Sequence, residues 1–404
     1  LIIKLKQPLN LDYKIQKFKK ESLSKLELFN NMVSVKYSGP MSESSGYSSA
    51  NRNIVQALHE AKVDLVTEFQ YYADNPTDYG EQLEIAKSYQ NKHANYPIKV
   101  LHITPNVYQK HKEKFKYNVG HLFWETTKIS DHWAWYLNEV VEIWTGCQEN
   151  VDTFREAGFN GKIFKFPQPI NTTRTEKAKS IDSSRGFIFG SIFQWIERKN
   201  PKALLEAYWR EFQDEDNVTL VIKTYGLSFK PAEAKRIYND IDKWKKELGL
   251  PTYSRVLIID YLLSDKEIHE LHESFDCFVS AHRFEGWGVP QAEALAHGKP
   301  VISTNKGGIH EWISDEGMLK VGYTMVDVGN NMNWAEQYIK KGNKWAEINP
   351  KELREKMRFV FDNRDEAKKI GLKGQREAKE KLNFKTTGNM MKGRLQEIYK
   401  EQGF

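Results

Sequence analysis

A chain of 404 residues is too long for one hydrophobic core and comfortable for two domains of roughly 150–200 residues. Hydrophobic residues make up 40% and charged residues 28%, and a mean hydropathy of -0.66 without any apolar run near ~18 residues excludes a membrane-spanning helix. The formal net charge of +6 suits anionic ligands but falls well short of the clustered basic surface of a dedicated nucleic-acid binder.

In chain order, residues 1–32 are Lys-rich, weakly periodic and read as an N-terminal extension. No leader is expected in Leu1–Lys20, where Lys4, Lys6, Asp12, Lys14 and Lys17 break the apolar patches. Val33–Tyr37 reads as a strand, then turn formers lead into a helix over Ala50–Ala61 with Ile54, Val55, Leu58 and Ala61 on one face. Buried strands are expected at Val63–Phe69, Ile98–Ile103, Val141–Thr145 and Lys162–Phe166, with helices over Glu81–His93 and Trp133–Glu139. Residues 171–185 carry almost no large apolar side chain and read as an interdomain linker.

The rhythm then restarts. Strands Gly186–Ile192, Val218–Lys223, Val256–Asp260, Cys277–Ser280 and Pro300–Ser303 alternate with helices Pro201–Phe212, Ala232–Leu248, Asp265–Ser274 and Pro290–His297. Residues 350–401 are charged amphipathic helix, read as solvated surface, and 386–404 form a last helix able to pack back on the N-terminal domain. Such alternation implies mainly parallel sheets covered on both faces, in two α/β domains over 33–170 and 186–385. Cys147 and Cys277 sit in apolar stretches; two buried thiols suit a reducing, cytosolic setting and exclude a disulfide scaffold.

Ligands of open parallel sheets bind at the carboxyl ends of strands, so the residues after each strand matter most. One strand ends at Ser280, Gly286 and Gly288 follow, and Pro290 takes the favoured first turn of a helix. Backbone N–H groups over Gly288–Gln291, added to the helix dipole, make an anion site suited to a pyrophosphate. Glu285 lies just before it, and Glu293 in the first turn is within reach of an adjoining ribose. Singly, each reads as a loop carboxylate or a dipole partner; the eight-residue spacing around the glycine loop favours a site. After Phe189–Gly190, adjacent cations Arg198 and Lys199 precede Pro201, and can neutralise a phosphate leaving group. Gln291 stands where a dinucleotide fingerprint needs a third glycine, and the chain has no Walker A or His-Glu-x-x-His sequence.

Arg283–Pro300 resembles the Glu-x7-Glu signature of retaining GT-B glycosyltransferases of the large family four group. Phe187–Trp312 looks like their donor-binding domain, with Arg198-Lys199 and the closing Gly307-Gly308-x-x-Glu311. Gly120–Glu125, Trp133, Val141–Cys147 and Pro167–Asn171 are similar to the N-terminal domain of the same group.

The resemblance implies an α/β GT-B fold: two Rossmann-like, doubly wound parallel-sheet domains facing each other across a cleft. It implies transfer of a sugar from a nucleotide-diphosphate donor to a hydroxyl acceptor, with retention, by front-face displacement. Glu285 would contact donor sugar hydroxyls, while Lys199 with Arg198 would hold the distal phosphate and act in catalysis. Glu293 would take the ribose, backbone at Gly286, Trp287, Gly288 and Val289 would cradle the diphosphate, and Tyr261 and Leu262 would lie by the base. Many members have an arginine where Ser191 stands, so either Arg198 substitutes or the phosphate is held more weakly.

On the acceptor side, Gly46 in the loop Ser42–Ser49, His121, Glu125 and His102 are candidates for the cleft. Trp124, Trp133, Trp135 and Trp144 read as core packing. The implied donor is a UDP-, GDP- or ADP-sugar, with no cofactor, no metal, and activity that survives chelation. The implied acceptor is a glycan or a lipid-linked precursor. Lys368-Lys369 and Lys379–Lys385 permit peripheral contact of a cytoplasmic enzyme with the inner membrane face. Two rivals stay open: another GT-B enzyme such as a sugar-nucleotide epimerase, which needs no acceptor, and a non-catalytic sugar-nucleotide-binding scaffold. The intact Glu285, Glu293 and Lys199 set argues against the scaffold. Glycosylation of nucleic acid would show as steeply salt-dependent binding.

Overall fold

A computed structural model describes residues 33–70, 79–92, 95–174, 186–213, 216–329 and 341–404. The expected extension 1–32, and 175–185 of the expected linker, lie outside the described residues. The first half runs β1 (Ser34–Pro40), α1 (Gly46–Glu60), β2 (Asp64–Gln70), α2 (Glu81–Ser88), β3 (Ile98–Leu101), α3 (Tyr108–His111) and β4 (Tyr117–His121). It continues with α4 (Asp131–Leu137), β5 (Glu142–Thr145), α5 (Gln148–Glu156) and β6 (Lys162–Lys165). Its strands pair in parallel in the order β2-β1-β3-β4-β5-β6.

The second half runs β7 (Phe187–Gln194), α6 (Pro201–Glu211), β8 (Val218–Tyr225), α7 (Pro231–Leu248), β9 (Arg255–Ile259) and α8 (Asp265–Glu273). There follow β10 (Cys277–Ser280), α9 (Val289–Ala296), β11 (Val301–Thr304), α10 (Ile309–Trp312) and β12 (Leu319–Val321). This sheet too is parallel, in the order β12-β11-β10-β7-β8-β9. An antiparallel pair, β13 (Tyr323–Asp327) and β14 (Lys344–Ile348), and three helices, α11 (Pro350–Asp362), α12 (Arg364–Lys381) and α13 (Phe384–Gln402), complete the chain.

Local chemistry accounts for most boundaries. β7 is an almost unbroken apolar run, as a strand covered on both faces requires. Pro opens α6 and α7, and Ser264 with Glu267 forms a reciprocal cap at the start of α8. α1 begins four residues earlier than the expected Ala50, because the Ser45 hydroxyl accepts from the Ser48 N–H (3.1 Å) and starts the helix there. α2 stops at Ser88, short of the expected His93. β4 and α5 carry too many polar residues to show a clean period, β12 has only three residues, and β13 and β14 mix apolar and charged residues; none of these five was expected from sequence.

The two sheets meet through their carboxyl edges. Trp312 Nε1 donates to the Gly146 carbonyl (2.8 Å), the Gln148 N–H donates to Glu311 (2.6 Å), and Lys306 pairs with Glu149 (2.8 Å). Asn343, before β14, bonds Thr126 and the backbone of Lys128. Cys147 and Cys277 are buried free thiols. No helix among the described residues is long and apolar enough to cross a membrane.

At the other end, α13 returns to the first half, where Met391, Leu395 and Ile398 join its core. Arg394 binds the fully buried Glu142 of β5 (Nη2 to Oε2 2.8 Å) and also Glu397 and Glu401. Removing one partner of a buried ion pair strands the other charge, at a cost of about 3–5 kcal/mol. Arg394→Leu is therefore expected to lower the thermal midpoint by more than about 5 °C. A midpoint unchanged within a degree would show that Glu142 does not depend on Arg394.

Candidate active site

β7 and β10 are neighbours, yet the chain leaves β7 toward β8 and leaves β10 toward β11 on the opposite side. At such a switch point the loops diverge and open a crevice at the carboxyl ends of both strands. The loop after β7 carries Arg198 and Lys199; the loop after β10 carries Glu285. Strand order alone therefore brings together residues that are 86 positions apart in the chain.

Arg198 and Lys199 lie on a single 3-10 turn, Glu197–Lys199, closed by Asn200 in the left-handed region (φ 55°). The Lys199 ammonium is in direct contact with Glu285 Oε1. Buried Arg198 uses Nη1 to bond the Phe284 carbonyl (2.7 Å) and to approach Glu285 Oε2 (3.5 Å). Its Nη2 pairs with Glu125 Oε2 of the opposite half at 2.9 Å. Two cations and two carboxylates thus form one closed, formally neutral cluster spanning the cleft. Arg283 braces it from outside, paired to Glu197 (2.6 Å) and Glu347 (2.7 Å).

Burial alone would raise the Glu285 pKa; Lys199 and Arg198 outweigh it, and the carboxyl is held below the usual range. Lys199 is pushed down by burial and by Arg198, against the pull of Glu285 and Glu125. Glu285 is consequently an acceptor-only carboxylate at neutral pH. Its backbone is fixed by Gly307 and Gly308: the Gly308 N–H donates to the Glu285 carbonyl (3.2 Å), and Gly307 sits at φ +116°. A Cβ on Gly307 would lie 2.3 Å from that carbonyl oxygen, so the close approach requires glycine.

Gly288, also at positive φ, caps α9 without any side-chain bond, and Pro290 occupies its first turn. The helix dipole and the Val289 and Gln291 N–H groups therefore remain directed at the crevice. Gly286 packs on Phe123 of the first half, where a Cβ would lie 2.8 Å from Phe123 Cβ; Trp287 is buried beside it. Glu293 lies in the first turns of α9, partly buried, its Oε2 3.4 Å from His272 Nε2. Burial raises its pKa, but the neighbouring His272, His269 and Arg174 more than reverse this. Tyr261 is exposed and Leu262 half-buried beyond β9, at the carboxyl edge of the same sheet.

The remaining expected residues divide. Ser191 is buried on β7 with its hydroxyl donating to the Val279 carbonyl (2.7 Å), so Arg198 and Lys199 are the cations at this loop. Glu125 reaches the cluster. His121 is fully buried: Tyr37 Oη lies 3.0 Å from its Nδ1 and 2.6 Å from His102 Nδ1. Burial pushes His121 down to about 3, so it is neutral. Gly46 starts α1 with open space where a Cβ would stand, so no close contact demands glycine there. Of the tryptophans expected to be core, Trp133 and Trp144 are buried, but Trp135 is 64% exposed.

His282 was not singled out in the sequence. It is fully buried behind Glu285, with Nε2–H donating to the Lys306 carbonyl (2.7 Å) and Nδ1 accepting from Ser280 Oγ (3.0 Å). Burial lowers its pKa to about 4, so it is a neutral strut, not a third cation. Asp-x-Asp sequences do occur in the chain, at Asp214–Asp216 and Asp240–Asp242. Asp216 is paired to Arg358, and Asp240 is bonded by Trp195 and paired to Arg236. The charge aimed into the crevice is supplied by Arg198, Lys199 and the α9 terminus.

The family described as Glycosyl transferases group 1 matches residues 185–340. No curated protein matches the chain in sequence. Among solved structures, Anabaena HepE in complex with UDP superposes with a TM-score of 0.61 at 14% identity, over 90% of this chain and 100% of that one. Sucrose-phosphate synthase from Thermosynechococcus elongatus gives 0.65 at 14% identity, over 91% and 100%. A mutant S. aureus TarM in complex with fondaparinux, alpha-GlcNAc-glycerol and UDP gives 0.53 at 16% identity, over 74% of this chain and 55% of that one. The chain thus spans about half the length of TarM and the whole of the other two. Residues 185–340 belong to the group 1 glycosyltransferases, and the chain as a whole has the GT-B glycosyltransferase fold.

Proposed function

We propose that the chain transfers a glycosyl group from a UDP-sugar to a hydroxyl of a glycan or lipid-linked acceptor, with retention and without a metal ion. The observation that carries this reading is the convergence of Lys199, Arg198, Glu285 and the α9 terminus at one switch-point crevice. UDP is favoured over GDP and ADP because it is the nucleotide in the HepE and TarM complexes. The group 1 match argues for transfer to an acceptor over epimerisation.

In the cluster, Lys199 and Arg198 are balanced by Glu285 and Glu125. A diphosphate entering at the α9 terminus adds charge that draws the two cations toward it. Glu285, its contact with Lys199 loosened, then accepts from hydroxyls of the donor sugar, and Glu293 accepts from the ribose. In the transfer, the anomeric carbon–phosphate oxygen bond breaks as the bond to the acceptor oxygen forms on the same face. The acceptor proton passes to the departing β-phosphate oxygen, so no side-chain base is needed. Catalysis is chiefly electrostatic: charge developing on the leaving diphosphate meets Lys199, Arg198 and the helix terminus in a low-dielectric cleft.

Of the lysines read as a membrane patch, Lys369 pairs with Glu366 and Lys381 with Glu377. A cytoplasmic enzyme whose acceptor comes to the cleft fits this better than one anchored through α12.

Lys199→Ala is expected to cost about 3 kcal/mol in the transition state, roughly a hundredfold in kcat. Turnover within twofold of the parent would overturn the phosphate role. UDP in the presence of EDTA, at 100 times its dissociation constant, should add about 2.7 kcal/mol of stability, readable as a thermal shift. A shift that appears only with added divalent ions would overturn the metal-free reading. No shift with UDP, GDP or ADP in folded protein would favour the scaffold.

A further inference from the structure

Behind Glu293 lies a group of three histidines, two from one helix and one from the turn that ends another. His269 and His272 stand on α8, and His297 caps the end of α9. Their tautomers can be assigned from their partners. His297 Nδ1 lies 2.5 Å from Glu273 Oε1, and a carboxylate only accepts, so that nitrogen carries the proton. Burial keeps His297 neutral at pH 7, leaving its Nε2 as an acceptor for His269 Nδ1–H at 2.9 Å. His269 Nε2 in turn faces Asp265, 3.9 Å away, and Asp265 is tied to Arg174. These two rings are locked.

His272 is different. It is fully buried, its ring stacks on His297 (centroids 5.7 Å apart, planes at 11°), and Phe275 and Phe278 close around it. Neither ring nitrogen makes a hydrogen bond among the described residues. Among the described residues, Glu293 faces it, with Oε2 3.4 Å from Nε2. A buried polar ring without a partner is costly, and an apolar side chain would fill this niche without that cost.

We infer that His272 is a positioning residue: held flat by the His297 stack, it presents Nε2–H to Glu293 Oε2 and thereby sets the carboxylate for the ribose diol. This inference rests on the reading that Glu293 binds the ribose. A small movement of Glu293 brings 3.4 Å into the ordinary N–H···O range of about 2.7–3.2 Å. With one oxygen so held, the carboxylate keeps a single orientation in which it can accept from both the 2′- and 3′-hydroxyls. His272 itself touches no substrate.

The test compares binding of UDP and 2′-deoxy-UDP by calorimetry, using the GDP or ADP pair if the parent binds that base instead. The parent should prefer the ribonucleotide by at least about tenfold, since a site built for a hydroxyl rejects its absence. His272→Phe should remove most of that preference by weakening the ribonucleotide, with two hydroxyl contacts to lose, several-fold more than the deoxynucleotide, which has only the 3′ contact. His272→Gln, whose amide N–H can stand where Nε2–H stands, should restore the preference to within about threefold of the parent. The shorter His272→Asn should not. The Gln and Asn pair carries the same comparison if His272→Phe does not fold.

Equal weakening of both nucleotides by His272→Phe, or a preference kept by both His272→Phe and His272→Asn, overturns the inference. Glu293→Gln separates it from the reading beneath. If that variant keeps the full ribose preference, the assignment of Glu293 fails, and the inference with it. If Glu293→Gln loses the preference while all the His272 variants keep it, only the inference fails.

Discussion

Lys199 and Glu285 meet because β7 and β10 lie side by side while their chains diverge, and much of the second half serves that meeting. A parallel sheet aligns every strand's carboxyl end on one edge, and the reversal of strand order leaves a gap in the helical cover at one place along it. Into that gap the sequence puts a cationic turn from one side and a glycine-rich anionic loop from the other. Gly307 lets the loop after β11 press on the Glu285 backbone, and Gly286 lets the first half approach through Phe123. Small residues sit where backbone or a neighbouring half must come close, and charged residues sit where the gap is.

The electrostatics follow from burial. Arg198 and Glu285 are both shielded from water, so neither could stay charged alone at tolerable cost. Pairing with each other, with Lys199 and with Glu125 offsets that cost, and the formal charge sums to zero. On the proposed reading, a diphosphate bringing its own negative charge redirects the two cations of this cluster. His282, neutral and bonded at both nitrogens, fills the space behind Glu285 without disturbing that balance. Glu125 also makes the cluster sensitive to how the two halves sit, since its bond to Arg198 exists only across the cleft.

The second sheet was largely legible because its strands are long apolar runs bounded by Pro and Gly, and its helices open on Pro or a capping Ser. β4 was hidden by Asn118, Gly120 and His121, which are buried by tertiary contacts that no local period reports. The same asymmetry holds at the site. Arg198, Lys199, Glu285 and Glu293 could be singled out because the carboxyl edge of a parallel sheet is itself a prediction. His282 and His272 could not, because a lone histidine acquires meaning only from partners such as Lys306 and Glu293 that the fold supplies. His121 shows the converse: a histidine at a strand end looked like a cleft residue, and the structure turns it inward against Tyr37.

The central claim is that Lys199, within its cluster, is the receptor for the outer phosphate of the donor. The most direct measurement is the affinity of UDP relative to UMP in the parent protein and in Lys199→Ala. The account predicts that the parent prefers UDP and that Lys199→Ala loses most of this preference while binding UMP nearly as the parent does. A preference for UDP undiminished in Lys199→Ala would contradict it, and would move the diphosphate away from the crevice between β7 and β10.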